Sequence, residues 1–206
     1  VMLPKNLSPE KFLAEYWQKK PLVIKNAFEN FQDPISPEEL AGLACEEEVE
    51  SRLVFIENGT WRLQNGPFIE QDFTSLLNKN WTLLVQAVDL WLPQTKKLLA
   101  EINFIPDWRL DDLMVSYATK NSGIGPHFDY YDVIIFQGQG QRHWQLGQNC
   151  NESNSLRKDN DLKILNEFIV SEEFTLECGD VLYIPPGVAH QGTSLDNSLS
   201  YSIGFR

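Results

Sequence analysis

The spacing of apolar residues along the chain changes at about residue 109. Before this point, apolar residues recur with the period of an amphipathic helix. After it, short alternating or continuously apolar runs are separated by turn residues, a pattern typical of strands. The pattern therefore predicts helices with connecting strands in the first half and a β-rich second half.

Local signals predict individual elements in the first half. Ser8 can cap a helix that begins at Pro9 and ends before Pro21. Ser36, followed three residues later by Glu39, has the arrangement of a capping box and predicts a short helix over 37–43. Further predictions are a buried strand in "PLVIKNAF" (21–28) and helices in "IEQDFTSLLNKN" (69–80) and "PQTKKLLAEI" (93–102).

The second half is predicted to consist of short strands and turns. Segment 138–141, "GQGQ", predicts a hairpin, Gly179-Asp180 and Pro186-Gly187 predict tight turns, and the polar segment 149–161 predicts a loop. Many short strands separated by turns predict a jelly roll with peripheral helices. The predicted strand runs are "LMVSYA", "HFDYYDVIIFQ", "RHWQLG", "EFTLE", "DVLYIP" and "SLSYSIGF".

Length and composition limit the class of protein. The 206 residues, 42% of them apolar, suffice for one domain that buries roughly 70% of its unfolded surface. The sequence has no apolar run of membrane-spanning length and no basic-then-apolar leader. The three cysteines lack C-x-x-C spacing, which argues against a disulfide framework and a cysteine zinc site. We expect a cytoplasmic protein that does not bind a membrane.

The charge of the chain bears on its partners. A formal net charge of −12 disfavours binding to bare nucleic acid, which depends on clustered Lys and Arg. An acidic surface attracts basic proteins. An alternative is that the charge only keeps the protein in solution.

The stretch "GPHFDYYDV" (125–133) places His127 two residues before Asp129. Such a pair arises by chance in roughly one chain in six of this composition, so it needs support from other residues. Side chains at positions i and i+2 of a strand share a face. The imidazole and the carboxylate can therefore point into one cavity.

His190 can complete a metal site with this pair. It follows a strand and a Pro-Pro-Gly turn in "GDVLYIPPGVAHQG" (179–192), and in a jelly roll such a distant strand can return beside the first segment. Two imidazoles and one carboxylate on one side of a metal are typical of non-haem Fe(II) oxygenases. Taken singly, each histidine fits an ordinary surface or core position, but the joint pattern favours the metal site.

Arg142, in "GQGQRHWQLG" (138–147), would share a strand face with Trp144 and Leu146. A guanidinium in an apolar interior is costly unless an anion meets it, and its planar fork suits a carboxylate. With the opposite strand parity, Arg142 would be a surface residue, and this alternative stays open. His143 has the other parity and is predicted not to be a ligand.

Three longer stretches closely resemble the JmjC-type ribosomal oxygenases of bacteria: "FLAEYWQKKPLVIKNAF", "DDLMVSYATKNSGIGPHFDYYDVIIFQGQGQRHWQLG" and "LECGDVLYIPPGVAHQGTSLDNSLSYSIGFR". The resemblance spans nearly the whole chain. It implies a double-stranded β-helix of the cupin-like superfamily and dependence on Fe(II), 2-oxoglutarate and O2. It also implies hydroxylation of a protein side chain, which in the nearest bacterial relatives is an arginine of a large-subunit ribosomal protein.

Site residues follow from the resemblance position by position. Arg142 matches the basic residue that pairs with the distal carboxylate of 2-oxoglutarate, and Ser116 is a candidate for a further hydrogen bond to it. Relatives often carry three consecutive basic residues before the tryptophan, a pattern from which this chain departs. The matches to the iron ligands are His127, Asp129 and His190.

Two more residues, Tyr131 and Gln137, are hypotheses for the wall of the site. The resemblance also implies a single catalytic domain over 1–206, in which a helical and strand part (1–108) packs on a core β-helix (109–206). Relatives continue into a helical dimerisation region and a winged-helix-like domain. We therefore expect a catalytic fragment of a protein that forms a homodimer.

Three alternatives to an arginine hydroxylase stay open. One is an enzyme of the same chemistry that hydroxylates a histidine of another ribosomal protein. Another is a JmjC lysine demethylase, although nothing in the sequence indicates chromatin binding. The third is a non-enzymatic cupin-like metal-binding module, which would bind iron without consuming oxygen.

Overall fold

The computed structural model describes residues 2–76, 79–158 and 162–206. Its strands form two antiparallel sheets, which confirms the mainly β fold class. The strands are β1 (Leu22–Ile24), β2 (Ser51–Glu57), β3 (Thr60–Asn65), β4 (Trp81–Val85), β5 (Leu110–Ala118), β6 (Asp132–Gln137), β7 (Arg142–Asn149), β8 (Val170–Leu176), β9 (Val181–Ile184), β10 (Val188–Ser194) and β11 (Ser198–Phe205).

A large sheet and a small sheet face each other. The large sheet has the order β1-β9-β6-β11-β5-β4-β2-β3, and the small sheet has the order β10-β7-β8. On β6, Val133 and Ile135 point between the sheets and contact a cluster that includes Trp144 and Leu146 of β7. Their neighbours Ile134 and Phe136 point to the outer face of the large sheet, where the helices pack. Apolar residues on both faces of β6 explain its continuously apolar sequence.

Short helices cover the outer face of the large sheet. Ser8 caps α1 as predicted, since its hydroxyl accepts a hydrogen bond from the backbone N–H of Lys11 at 3.2 Å. The predicted helix in 93–102 is a 3-10 turn over Pro93–Thr95 followed by α5. The α-helices are α1 (Pro9–Glu15), α2 (Pro37–Leu43), α3 (Glu70–Thr74), α4 (Val88–Trp91) and α5 (Lys96–Ala100). No helix of the described residues is long and apolar enough to cross a membrane.

The capping box of α2 provides a test of the local sequence reasoning. The Ser36 hydroxyl accepts from the Glu39 N–H at 3.2 Å, and the Glu39 carboxylate accepts from the Ser36 N–H at 2.7 Å. We expect Ser36→Ala to lower the free energy of unfolding by about 1 kcal/mol. Urea denaturation of this variant beside Ser36→Asp, which keeps an acceptor, would measure the effect. Equal stability of Ser36→Ala and the unmodified protein would contradict the assignment.

The predicted hairpin at "GQGQ" is wrong. This segment leaves β6 in the large sheet and enters β7 in the small sheet, so it is a crossover between sheets. Gly140 has φ +77°, a left-handed backbone conformation that glycine adopts readily, so a turn is present here. Turn residues indicate where the chain reverses, but they do not determine which strands pair. The turns at 179–180 and 186–187 are present, with φ values of +90° at Gly179 and +82° at Gly187.

Other boundaries also differ from the predictions. The run from 127 to 137 becomes a regular strand only at Asp132, and the predicted helix over 69–80 is helical only over Glu70–Thr74. Residues 77–78 of that helix and 159–161 of the predicted loop lie outside the described residues. Strands β2, β3, β4 and β10 were not predicted, and the first three of them extend the large sheet. The division near residue 108 stays a prediction.

Candidate active site

Two backbone hydrogen bonds join the segment at His127 to β10. The His127 N–H donates to the His190 carbonyl at 3.0 Å, and the His190 N–H donates to the His127 carbonyl at 2.8 Å. The Gly187 N–H of the Pro-Pro-Gly turn donates to the Asp129 carbonyl at 2.8 Å. His127 therefore lies in an isolated β-bridge rather than in the regular strand that the sequence predicted. The bridge places the side chains of His127 and His190, which are 63 residues apart in the sequence, in one site.

The backbone determines which nitrogen of each imidazole faces the site. Nδ1 of His127 lies 2.9 Å from the Gly125 carbonyl, and Nδ1 of His190 lies 2.9 Å from the Val188 carbonyl. Because a carbonyl only accepts, each Nδ1 carries a hydrogen, and Nε2 is the ring nitrogen left to face the site. Burial, and then the nearby His127, lower the pKa of His190 to about 4, so this ring is neutral at pH 7. In both rings the Nδ1 hydrogen bond sets the orientation in which Nε2 can bind a metal.

Asp129 completes a cluster of three metal-binding side chains. Its Oδ2 lies 3.6 Å from Nε2 of His190, and the ligand atoms of His127, Asp129 and His190 all lie within 4.8 Å of one another. The two rings have centroids 4.3 Å apart. The structure therefore brings together the three residues that the sequence predicted as ligands.

Arg142 points into the space between the sheets. It alternates with outward-facing residues on β7 and is 7% exposed, so the surface alternative is wrong. Its guanidinium donates to the hydroxyls of Ser116, Ser198 and Ser200 at 2.7–2.9 Å. No carboxylate of the described residues lies within 4.0 Å of it. Burial lowers the pKa of Arg142 to about 10, and the group stays charged at pH 7.

This unpaired buried charge is the clearest sign of an anionic ligand. A guanidinium without a counter-ion in a protein interior is destabilising, and neutral hydroxyls compensate only part of the cost. Ser116 on β5 and Ser200 on β11 are register partners, so the arginine crosses from the small sheet to the centre of the large one. His143 lies on the opposite face of β7, as its strand parity predicted, and pairs with Glu173 at 3.6 Å.

One cavity contains the candidate ligands and Arg142. The indole of Trp144 forms part of its wall, and its ring centroid lies 6.1 Å from that of His190. Tyr131 lines the cavity as predicted, whereas Gln137 does not: the Gln137 amide is fully buried and donates to the Leu199 carbonyl at 3.1 Å. The other lining residues are Leu84, Gln86, Asp112, Met114, Ser116, Ile124, Val133, Ile135, Ser200, Ser202 and Gly204.

Asp112 is a lining residue that the sequence reasoning missed. Its Oδ2 accepts from the Gln86 side-chain amide at 2.8 Å and from the Ala87 N–H at 3.1 Å. No donor of the described residues is within hydrogen-bond distance of its Oδ1, which lies beside Gly204 in the cavity wall. Burial raises the pKa of Asp112, and the two hydrogen bonds oppose that rise. The sequence did indicate this position, because Asp112 and Ser116 are an even number of positions apart and therefore lie on the same face of the strand.

The chain belongs to the JmjC domain family, whose pattern matches residues 97–206. It is 48% identical to the ribosomal protein uL16 3-hydroxylase of Escherichia coli over 201 residues, which are 95% of this chain and 52% of that protein. A solved X-ray structure of E. coli ycfD shares the fold with a TM-score of 0.91 and 47% identity, covering 97% of this chain and 53% of that chain.

Another similar solved structure contains bound ligands. It contains the ribosomal oxygenase YcfD of E. coli in complex with cobalt and 2-oxoglutarate, and it matches with a TM-score of 0.86 and 46% identity. The match covers 97% of this chain and 52% of that chain. The chain therefore spans about half the length of the relatives that it matches.

Proposed function

We propose that this chain is the catalytic part of an Fe(II)- and 2-oxoglutarate-dependent protein hydroxylase. The observation that carries the proposal is one cavity with two unlike anchors, the cluster His127, Asp129 and His190 and the buried guanidinium of Arg142. A metal with one carboxylate and two imidazoles keeps positions open for a chelating cosubstrate. The similarity to a structure with cobalt and 2-oxoglutarate supports the same pairing of ligands here.

The side chains that line the cavity fit both a metal ion and 2-oxoglutarate. The imidazoles would offer Nε2 to the metal because each Nδ1 donates a hydrogen bond to a backbone carbonyl. Arg142 would hold the distal carboxylate of 2-oxoglutarate, and Ser116 would donate a further hydrogen bond to it. The apolar wall, which includes Val133 and Trp144, would exclude water from the reacting atoms.

The bound iron and cosubstrate would supply the oxygen activation, in which O2 converts 2-oxoglutarate to succinate and CO2 and one oxygen atom enters a substrate C–H bond. The protein's own residues orient the reactants. The bridge between His127 and His190 and the turn at Gly187 hold the metal-binding atoms in place, while Arg142 determines the direction in which a dicarboxylate can enter.

The proposed substrate is an arginine of a large-subunit ribosomal protein. The similarity to the uL16 3-hydroxylase of E. coli supports a ribosomal protein, and Asp112 supports a cationic side chain. The open Oδ1 of Asp112 and the ring of Tyr131 both lie beside Gly204, each 3.6 Å from the position that a Cβ would take there. A flat guanidinium that stacks on an aromatic ring and donates to a carboxylate suits this space. A histidine substrate is mostly uncharged at pH 7 and would leave the carboxylate without a counter-charge.

The proposal is tested by incubating the protein with Fe(II), 2-oxoglutarate, O2 and a uL16 peptide that contains the arginine. We expect equal amounts of succinate and of peptide with one additional oxygen atom on the arginine, located by mass spectrometry. Modification of a histidine in a second ribosomal peptide would replace the arginine assignment. Iron binding without any oxygen consumption would identify a non-enzymatic module.

Asp112→Asn tests the substrate class separately from the iron chemistry. We expect the KM for the arginine peptide to rise about tenfold, since a charge-assisted hydrogen bond becomes a neutral one. The affinity for 2-oxoglutarate should not change, because Arg142 is unaffected. The matched control is Asp111→Asn on the opposite face of β5. An unchanged KM in Asp112→Asn would show that the substrate cation lies elsewhere.

A further inference from the structure

Asp112 is connected through Gln86 to a second charged side chain, Arg52. One terminal nitrogen of the Arg52 guanidinium donates to Oε1 of Gln86 at 2.9 Å, and Nε2 of Gln86 donates to Oδ2 of Asp112 at 2.8 Å. The three residues come from adjacent parts of the large sheet, namely β2, the end of β4 and β5. All three are half-buried.

The chemistry of the two ends determines the orientation of the amide between them. A guanidinium only donates hydrogen bonds, so the Gln86 oxygen must face Arg52. The Gln86 NH2 group then faces Asp112, which accepts it as a carboxylate. If the amide rotated by half a turn, a donor would face a donor and an oxygen would face an oxygen. Arg52 therefore keeps the amide in the orientation that supports an ionised Asp112.

Among the described residues, Gln86 is the side chain to which the Arg52 guanidinium donates a hydrogen bond. No carboxylate of the described residues is within 4.0 Å of its guanidinium, and its Nε is buried without a hydrogen-bond partner among them. A half-buried arginine that is paired with a neutral amide is an unusual arrangement for stability alone, because the charge gains little from that contact. Its hydrogen bond to Gln86 favours a role in orienting the amide that donates to the Asp112 carboxylate.

The same hydrogen bonds determine which carboxylate oxygen remains open. Gln86 and the Ala87 N–H both donate to Oδ2 of Asp112, so this oxygen is occupied. Oδ1 remains on the side of Gly204, in the wall of the cavity. Without the Gln86 contact, one donor would remain and the carboxylate could rotate about its Cβ–Cγ bond, a torsion with broad energy wells.

We propose that Arg52 and Gln86 are positioning residues that select a cationic substrate side chain by holding Asp112 with its Oδ1 directed into the cavity. This inference rests on the proposed arginine substrate and names two residues outside the metal and cosubstrate contacts. Gln86→Leu removes both side-chain hydrogen bonds with little change in volume. Gln86→Leu should weaken binding of an arginine substrate only because it changes the position of the Asp112 carboxylate.

A double-mutant cycle tests the proposal by peptide binding, which requires no turnover. The protein is loaded anaerobically with Mn(II) and 2-oxoglutarate and titrated with the uL16 arginine peptide and with its citrulline counterpart, which lacks the charge. We expect Gln86→Leu to weaken arginine-peptide binding about tenfold in the unmodified protein and less than about twofold in the Asp112→Asn background. In Gln86→Leu alone, the preference for the arginine peptide over the citrulline peptide should also fall about tenfold.

Arg52 variants and a control complete the test. We expect Arg52→Met to weaken binding of the arginine peptide about threefold, and Arg52→Lys, which keeps a cationic donor, to restore most of it. The control is Gln145→Leu on the outer face of β7, where the amide also donates to a carboxylate, that of Glu173. This control should bind both peptides like the unmodified protein.

The possible failures are distinguishable. An equal loss from Gln86→Leu in both backgrounds, or an equal loss for both peptides, would overturn the positioning role and leave the proposed function intact. If the unmodified protein binds the arginine peptide no better than Asp112→Asn does, the substrate cation lies elsewhere, and the positioning role is overturned.

Discussion

His127→Ala should abolish metal binding and turnover. Removing one of three protein ligands leaves two, so we expect the affinity for Co(II) or Fe(II) to fall on the order of a thousandfold. Calorimetric titration with Co(II) measures the binding, and succinate formation measures the turnover. The chain offers a matched control in its only other histidine outside the cluster, His143, which faces away from the cavity and pairs with Glu173.

His143→Ala should bind metal and turn over like the unmodified protein. If His127→Ala keeps its affinity for Co(II), the metal assignment is wrong whatever the turnover. A loss in both variants would indicate general damage to the fold rather than a lost ligand. Circular dichroism of the two variants distinguishes these cases, because His127 is held by backbone bonds that do not involve its side chain.

Arg142→Met should raise the requirement for 2-oxoglutarate about a hundredfold. Truncating one partner of a buried charge pair typically costs about 3 kcal/mol, which corresponds to that factor. The variant should still fold, since an apolar side chain of similar length often replaces a buried charge without loss of stability. The hydroxyls that Arg142 leaves can bond to each other, as Ser116 and Ser200 already do at 3.1 Å.

The concentration of 2-oxoglutarate that gives half-maximal succinate formation measures this effect. Arg62→Met, on β3 and paired at the surface with Glu57, is the control and should have no effect. Metal affinity in Arg142→Met should stay within about twofold of the unmodified protein, because the guanidinium does not contact the ligand cluster. An unchanged requirement for 2-oxoglutarate would mean that the cosubstrate binds in another orientation.

The sequence predicted the candidate metal site because its signals are local. His127 and Asp129 are two residues apart, and His190 follows a turn whose Pro and Gly are themselves recognisable. Arg142 and Trp144 are two residues apart on one strand and therefore share a face, but the sequence does not say whether this face points inward. Only the structure decided that choice, through the burial of both residues.

Gln86 and Arg52 could not be predicted in this way. Their contact with Asp112 depends on the register of β2 against β4 and of β4 against β5, which joins residues 26 to 34 positions apart. Periodicity specifies the face on which a side chain lies, but not which side chain lies opposite it on the next strand.

The β2-β3 hairpin was missed although a signal was present. Asn58-Gly59 is a typical two-residue hairpin turn, and both residues have positive φ, +51° and +76°. At "GQGQ" the opposite error occurred, because a turn sequence was interpreted as a hairpin although its flanking strands lie in different sheets. Pairing between strands depends on the whole fold, and the turn residues report only the local backbone.

The most direct test of the account is the anomalous diffraction of cobalt in crystals grown with 2-oxoglutarate. We expect one cobalt peak bound by Nε2 of His127, a carboxylate oxygen of Asp129 and Nε2 of His190. The distal carboxylate of 2-oxoglutarate should lie against the Arg142 guanidinium. A cobalt peak away from these three side chains, or a cosubstrate whose distal carboxylate does not contact Arg142, would contradict the account.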